Sequence, residues 1–133
     1  MQETLDLKDT GVFKAASALA GGVARRGETC GAVTGGIMGI CQVVGRENIE
    51  DFEQYNKAME PCYEMYLKFK EEVGHTLCAE IHKILYGRSY RLYDEEEREA
   101  FHEAGAHEPE GCPGVCSKAA KIAARIILDL KEP

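Results

Sequence analysis

Apolar residues recur along this chain at intervals of three and four, and no stretch shows the clean alternation and β-branched enrichment of a strand. Asp9 or Thr10 predicts the cap of a first helix running to about Ala20. Its face would be Val12, Phe13, Ala16, Leu19 and Ala20, and Gly21-Gly22 would stop it. Thr29 reads as the cap of a second helix, Cys30 to about Val44, closed by Gly45. A third runs from Asn48 to Val73, with Phe52, Tyr55, Met59, Tyr63, Tyr66 and Phe69 as its heavier face. Pro61 either kinks or restarts it, and Gly74 ends it. Thr76 caps a fourth, to about Tyr86, with Ile81, Ile84 and Leu85 apolar. Asp94-x-x-Glu97 resembles a capping box opening a short, acidic, exposed helix that ends near Ala104. Cys112-Pro113 opens the last helix, to about Leu130, whose apolar face is Ala119, Ile122, Ala123, Ile126, Ile127 and Leu130. The pattern predicts an all-α fold: a single-domain bundle of about five helices over residues 1–133.

The second segment, CGAVTGGIMGICQVV, carries no charge and is too short to span a bilayer, so it reads as a buried central helix. Gly31, Gly35 and Gly39 form one smooth stripe along it. Glycine inside a helix costs about 0.5–1 kcal/mol relative to alanine, so three on one face imply a compensating close approach. The visitor would be another helix, a cofactor resting on Gly31 and Gly35, or a second copy in a homodimer.

Composition adds exclusions. With 44% hydrophobic and 29% charged residues the chain is ordinary for a globular protein. Sixteen Lys and Arg against 23 Asp and Glu give a net charge of −7. That balance repels phosphate and predicts neither nucleic-acid binding nor membrane insertion. The opening MQETLDLKDTG has neither a basic nor an apolar secretory region, which predicts a cytoplasmic protein, where persistent disulfides are rare. Six cysteines in such a compartment are buried small hydrophobes, metal ligands or working redox groups.

Three of the six share a setting. Cys30, Cys78 and Cys112 each fall at a predicted helix start, where free N–H groups and the helix dipole favour thiolate over thiol. Their sulfurs are expected to converge on one site in the core. Cys116 follows Cys112 by one turn. His75, Cys78 and His82 share a helical face, so His75 and His82 are nitrogen ligand candidates. Cys41 lies eleven residues beyond Cys30 on the same helix. That is about 16 Å of axis, too far for one metal ion to take both, so Cys41 is expected further off, facing the interior. Cys62 sits beside Pro61 on the tyrosine-rich helix. Glu28, two residues before Cys30, is either an acid–base group or a plain loop glutamate. No C-x2-C, P-loop, G-x-S-x-G or H-E-x-x-H motif occurs, and no enzymatic constellation is evident.

The run Arg26-Gly27-Glu28-Thr29-Cys30-Gly31-Ala32-Val33-Thr34-Gly35-Gly36 resembles the signature of the redox-active C_GCAxxG_C_C family. Phe69 to Gly74 with Thr76, Cys78 and Ile81, and Cys112-Pro113 with Lys118-Ala119-Ala120, resemble its later segments. The resemblance implies a redox role for Cys30, Cys78 and Cys112. The family's further cysteine, upstream of the motif, has no counterpart here, which leaves Cys41, Cys62 or Cys116 to replace it. Three readings follow. In the first, the helix-start thiolates hold an iron–sulfur cluster or a single metal ion for electron transfer with a partner protein, and Cys116, Cys41, His75 or His82 is the fourth ligand. In the second, Cys30 is an activated thiolate of a metal-free thiol–disulfide protein, resolved by Cys78 or Cys112. The third is a helical partner-binding module with incidental cysteines.

Overall fold

A computed structural model describes all 133 residues, Met1–Pro133. It is all-helical, with six α-helices where about five were expected: α1 (Thr10–Ala15), α2 (Gly31–Val44), α3 (Phe52–Val73), α4 (Cys78–Tyr86), α5 (Glu95–Glu103) and α6 (Cys112–Lys131). There is no β-strand, only an isolated antiparallel bridge between Thr29 and Leu77. No helix is long and apolar enough to cross a membrane.

The three long helices α2, α3 and α6 pack on one another and enclose the main core of Val33, Ile40, Met65, Phe69, Ile122 and Ile127, among others. The uncharged α2 is central because small residues let its neighbours close in. A side chain on Gly36 would collide with Met65, and a Cβ on Gly39 would lie 2.6 Å from the end of Met1. A Cβ on Gly31 would lie 2.8 Å from the Leu19 carbonyl oxygen. The stripe is thus occupied from within the chain at Gly31 and Gly39, and only Gly35 has open space above it.

Of the heavier face expected of α3 only Phe69 is buried. Phe52, Tyr55, Met59, Tyr63 and Tyr66 are exposed, and Ala58, Pro61, Met65, Phe69 and Val73 point inward. Apart from Phe69, these are slim residues and one methionine, which suit a helix pressed against a glycine-rich partner; a row of tyrosines would hold the axes apart and strand their hydroxyls. The helix begins later than Asn48, with the Asp51 carboxylate accepting from the Gln54 N–H at 2.9 Å. It runs unbroken through Pro61, which needs no N–H of its own but leaves the Lys57 carbonyl without its usual donor.

The first helix is likewise shorter than expected. It stops at Ala15, passes into a single 3-10 turn over Ser17–Leu19, and buries no residue; Phe13 is 70% exposed. Two apolar positions also lie outward, Ile84 on α4 and Leu130 on α6. Helices α4 and α5 sit at one end, around a small second cluster of Leu92, Phe101 and Ala106.

Replacing the wholly buried Phe69 by alanine should lower unfolding free energy by about 3–5 kcal/mol. The same change at exposed Phe13 should stay within about 0.5 kcal/mol, both read from urea denaturation.

Candidate functional site

The site is assembled by backbone before any side chain acts. The N–H of Cys30 donates to the Thr76 carbonyl at 2.8 Å, that of Cys78 to Glu28 at 2.7 Å, and that of Ala79 to Gly27 at 3.1 Å. These bonds tie the segment entering α2 to the segment entering α4. They require the chain to turn back sharply before Gly27. Gly21, Gly22, Val23, Ala24 and Arg25 all adopt left-handed φ, between 50° and 71°. Gly22 is irreplaceable there on steric grounds, since a Cβ would lie 2.5 Å from the Glu28 oxygen and 2.7 Å from the Cys78 Cβ. His75 then rounds the chain into α4, its Nδ1 accepting from the N–H groups of both Thr76 and Leu77 at 3.0 Å.

A second link brings in α6. The Cys112 N–H donates to the Tyr86 hydroxyl at 3.1 Å, and that hydroxyl donates to the Cys112 sulfur at 3.6 Å. Gly111 makes room for it, because a Cβ there would lie 2.6 Å from the Tyr86 oxygen.

The result is a cavity of about 410 Å3 lined by Cys30, Cys78, Cys112 and Cys116 together with His82 and Phe101. Cys30 is the cap residue of α2, and Cys78 and Cys112 are the first residues of α4 and α6. Cys116 joins from the next turn of α6. Gly31 and Gly35 lie on the same wall. Cys41 and His75 are not brought to the cavity. Nor does Cys41 face the interior: it is exposed, with its sulfur 3.6 Å from that of Cys62, so no fourth member of the cavity comes from that end of α2. Glu28 contributes its carbonyl, while its side chain is exposed.

Burial reverses part of the electrostatics expected at helix starts. Desolvation raises the Cys30 thiol, although the N–H groups of Ala32 and Val33 act against it. Burial first, then the charges of Cys30 and Cys112, push Cys78 up to about 12. Cys112 and Cys116 are also raised, chiefly by burial. The helix ends favour anions, but loss of water around the sulfurs outweighs them, and repulsion between neighbouring thiolates adds to it at Cys30, Cys78 and Cys116.

His82 is 1% exposed, one turn beyond Cys78, with Nε2 3.4 Å from the Cys78 sulfur. Burial lowers its basicity, and its Nδ1 has no hydrogen-bond partner. The Phe101 ring lies 4.5 Å from the imidazole, centroid to centroid, and Tyr86 and Tyr90 close around them. Phe101, Leu92, Tyr86 and His107 escaped the sequence reading. Their only signal was the one-turn spacing of His82 and Tyr86, because the others arrive from outside α4 through tertiary folding.

The family model described as "Putative redox-active protein (C_GCAxxG_C_C)" matches residues 1–126. The chain belongs to that family. No curated protein and no solved structure matches it. As the side chains stand, no three His, Cys, Asp or Glu residues are gathered tightly enough to hold a single metal ion.

The raised Cys78 thiol fixes a pH dependence. The folded protein keeps this proton above 9.0, where the unfolded chain loses it, so the contribution to stability is complete below that pH and falls as pH climbs towards about 12. In the reduced protein, the stability difference between wild type and Cys78→Ser should therefore shrink across that window. Denaturant titrations at stepped pH measure it; a difference that stays constant would contradict the assignment.

Proposed function

We propose that this is an electron-transfer protein whose Cys30, Cys78, Cys112 and Cys116 hold an iron–sulfur cluster. The observation that carries the reading is the convergence of these four thiols, three from helix starts, on one apolar cavity. Four cysteines are the usual ligand set of such clusters, and soft thiolates select iron–sulfur centres over hard cations. A cluster spreads its ligands more widely than one ion does, which suits four sulfurs around a cavity with no three drawn together.

When bound, the cluster would supply one-electron chemistry. The protein's part is to hold and tune. The N–H groups of Ala32 and Val33 at the Cys30 sulfur and the Tyr86 hydroxyl at the Cys112 sulfur are hydrogen-bond donors of the kind that set a cluster's potential. Phe101 and Leu92 keep water from one wall. His82 offers a neutral imidazole beside Cys78. The exposure of Cys116 brings the site to the surface, where a partner protein would dock for transfer.

The metal-free thiol–disulfide reading keeps one supporting observation: the cavity thiols are near enough to raise one another electrostatically. One experiment separates the two. Protein reconstituted without oxygen with iron and sulfide should turn brown, bind both, and lose them in Cys78→Ser but not in Cys41→Ser. Colourless protein with no bound iron would overturn the cluster. If mild oxidation then joined Cys30 to Cys78 or Cys112 in that colourless protein, the thiol–disulfide reading would replace it.

A further inference from the structure

Two cysteines remain outside the cavity, and they face each other. Cys41 lies near the C-terminal end of α2 and Cys62 in the middle of α3, and their sulfurs are 3.6 Å apart. The residues are 21 apart in sequence, so the pair bridges two different helices of the main core. Cys41 is exposed and Cys62 half-buried, so a small reagent can reach the pair from solvent. Neither residue belongs to the motif segments that carry the family likeness, and neither lines the cavity.

We propose that Cys41 and Cys62 form a second redox centre, a dithiol that closes to an α2–α3 disulfide by exchange with a low-molecular-weight disulfide. A disulfide has its sulfurs about 2.05 Å apart, so closure needs an approach of only about 1.5 Å, within reach of small side-chain rotations. The hydrogen bond between the two sulfurs holds the Cys41 thiol down at about 7 and pushes that of Cys62 up. Cys41 is therefore the attacking thiolate at neutral pH, and Cys62 the resolving thiol.

The exchange balances in two steps. The Cys41 thiolate attacks one sulfur of the reagent, forming a mixed disulfide and expelling one thiolate. Cys62 then gives up its proton and attacks the Cys41 sulfur, expelling the second. Two protein thiols are oxidised and one reagent disulfide is reduced to two thiols; a dithiol reductant runs the sequence backwards. Cys30 lies about 16 Å away along the α2 axis, so the two centres share a helix without sharing a sulfur.

The test uses the full chain, reduced and then exposed to glutathione disulfide at neutral pH, alkylated and cut with trypsin. Fragments 27–46 and 58–68 should emerge joined, lighter by two hydrogens than their sum, with the alkyl group on Cys30 and the link at Cys41. The link should open with dithiothreitol. Cys62→Ser should halt at a mixed disulfide on Cys41, and Cys41→Ser should leave Cys62 reacting at least about tenfold more slowly than Cys41 does in the wild type, because Cys62 is the less exposed sulfur and has lost the neighbouring thiol. Recovery of Cys41 and Cys62 both alkylated in the wild type, a link through Cys30 instead, or a wild-type mixed disulfide that never resolves would each overturn the proposal.

Discussion

Everything at the cysteine end of this molecule hangs on the short backbone pairing between residues 27–30 and 76–79. Three N–H···O bonds do there what a strand ladder does in a sheet, but between two helix entrances. They set α2 and α4 off from a common point, so their first turns and the cysteines on them open into the same space. The left-handed run from Gly21 to Arg25 exists to make that pairing possible. Left-handed backbone costs about 1–2 kcal/mol for a non-glycine residue, and Val23, Ala24 and Arg25 all adopt it. Such strain persists only where the surroundings over-determine it. Here the surroundings are the paired strands of chain on one side and the Leu19 carbonyl, accepting from the Val23 N–H, on the other.

The cavity sets two forces against each other. Helix ends invite negative charge, and burial refuses it. With thiols alone burial wins, and all four cavity cysteines are raised. A cationic centre shared among them would turn the same crowding into attraction. At the far end of α2 the opposite regime holds: Cys41 and Cys62 are closer to water, and sharing one proton between two sulfurs favours charge on one of them. One helix therefore carries a thiol environment of each kind.

Much of this could be read from the residues. The glycines after Val44, Val73 and Tyr86 marked helix ends because only glycine continues cheaply past a last turn, and Gly74 and Gly87 do adopt left-handed φ. Cys30, Cys78 and Cys112 were visible as helix-start residues, and Cys116 followed from its spacing. What stayed hidden was lateral. Which face of α3 turns inward depends on the glycines of α2 opposite it, because two of its faces carry apolar residues at helical spacing. The aromatic wall depends on where the loop after α4 lays Leu92 and brings Phe101. The Cys41–Cys62 contact depends on the axial register of two helices, which no spacing within either one encodes.

The pairing at Glu28 and Cys78 also has a consequence for how the molecule comes to be. It closes a loop that contains all of α2 and α3, and the Tyr86–Cys112 link closes another of 26 residues. Long closures lose chain entropy before they gain contacts, so they form after local helices rather than before. The thiol cavity thus waits, like the α2–α6 packing of the core, on contacts distant in sequence. During synthesis Cys30 and Cys78 emerge well before Cys112, and the cavity can be complete only once α6 has left the ribosome.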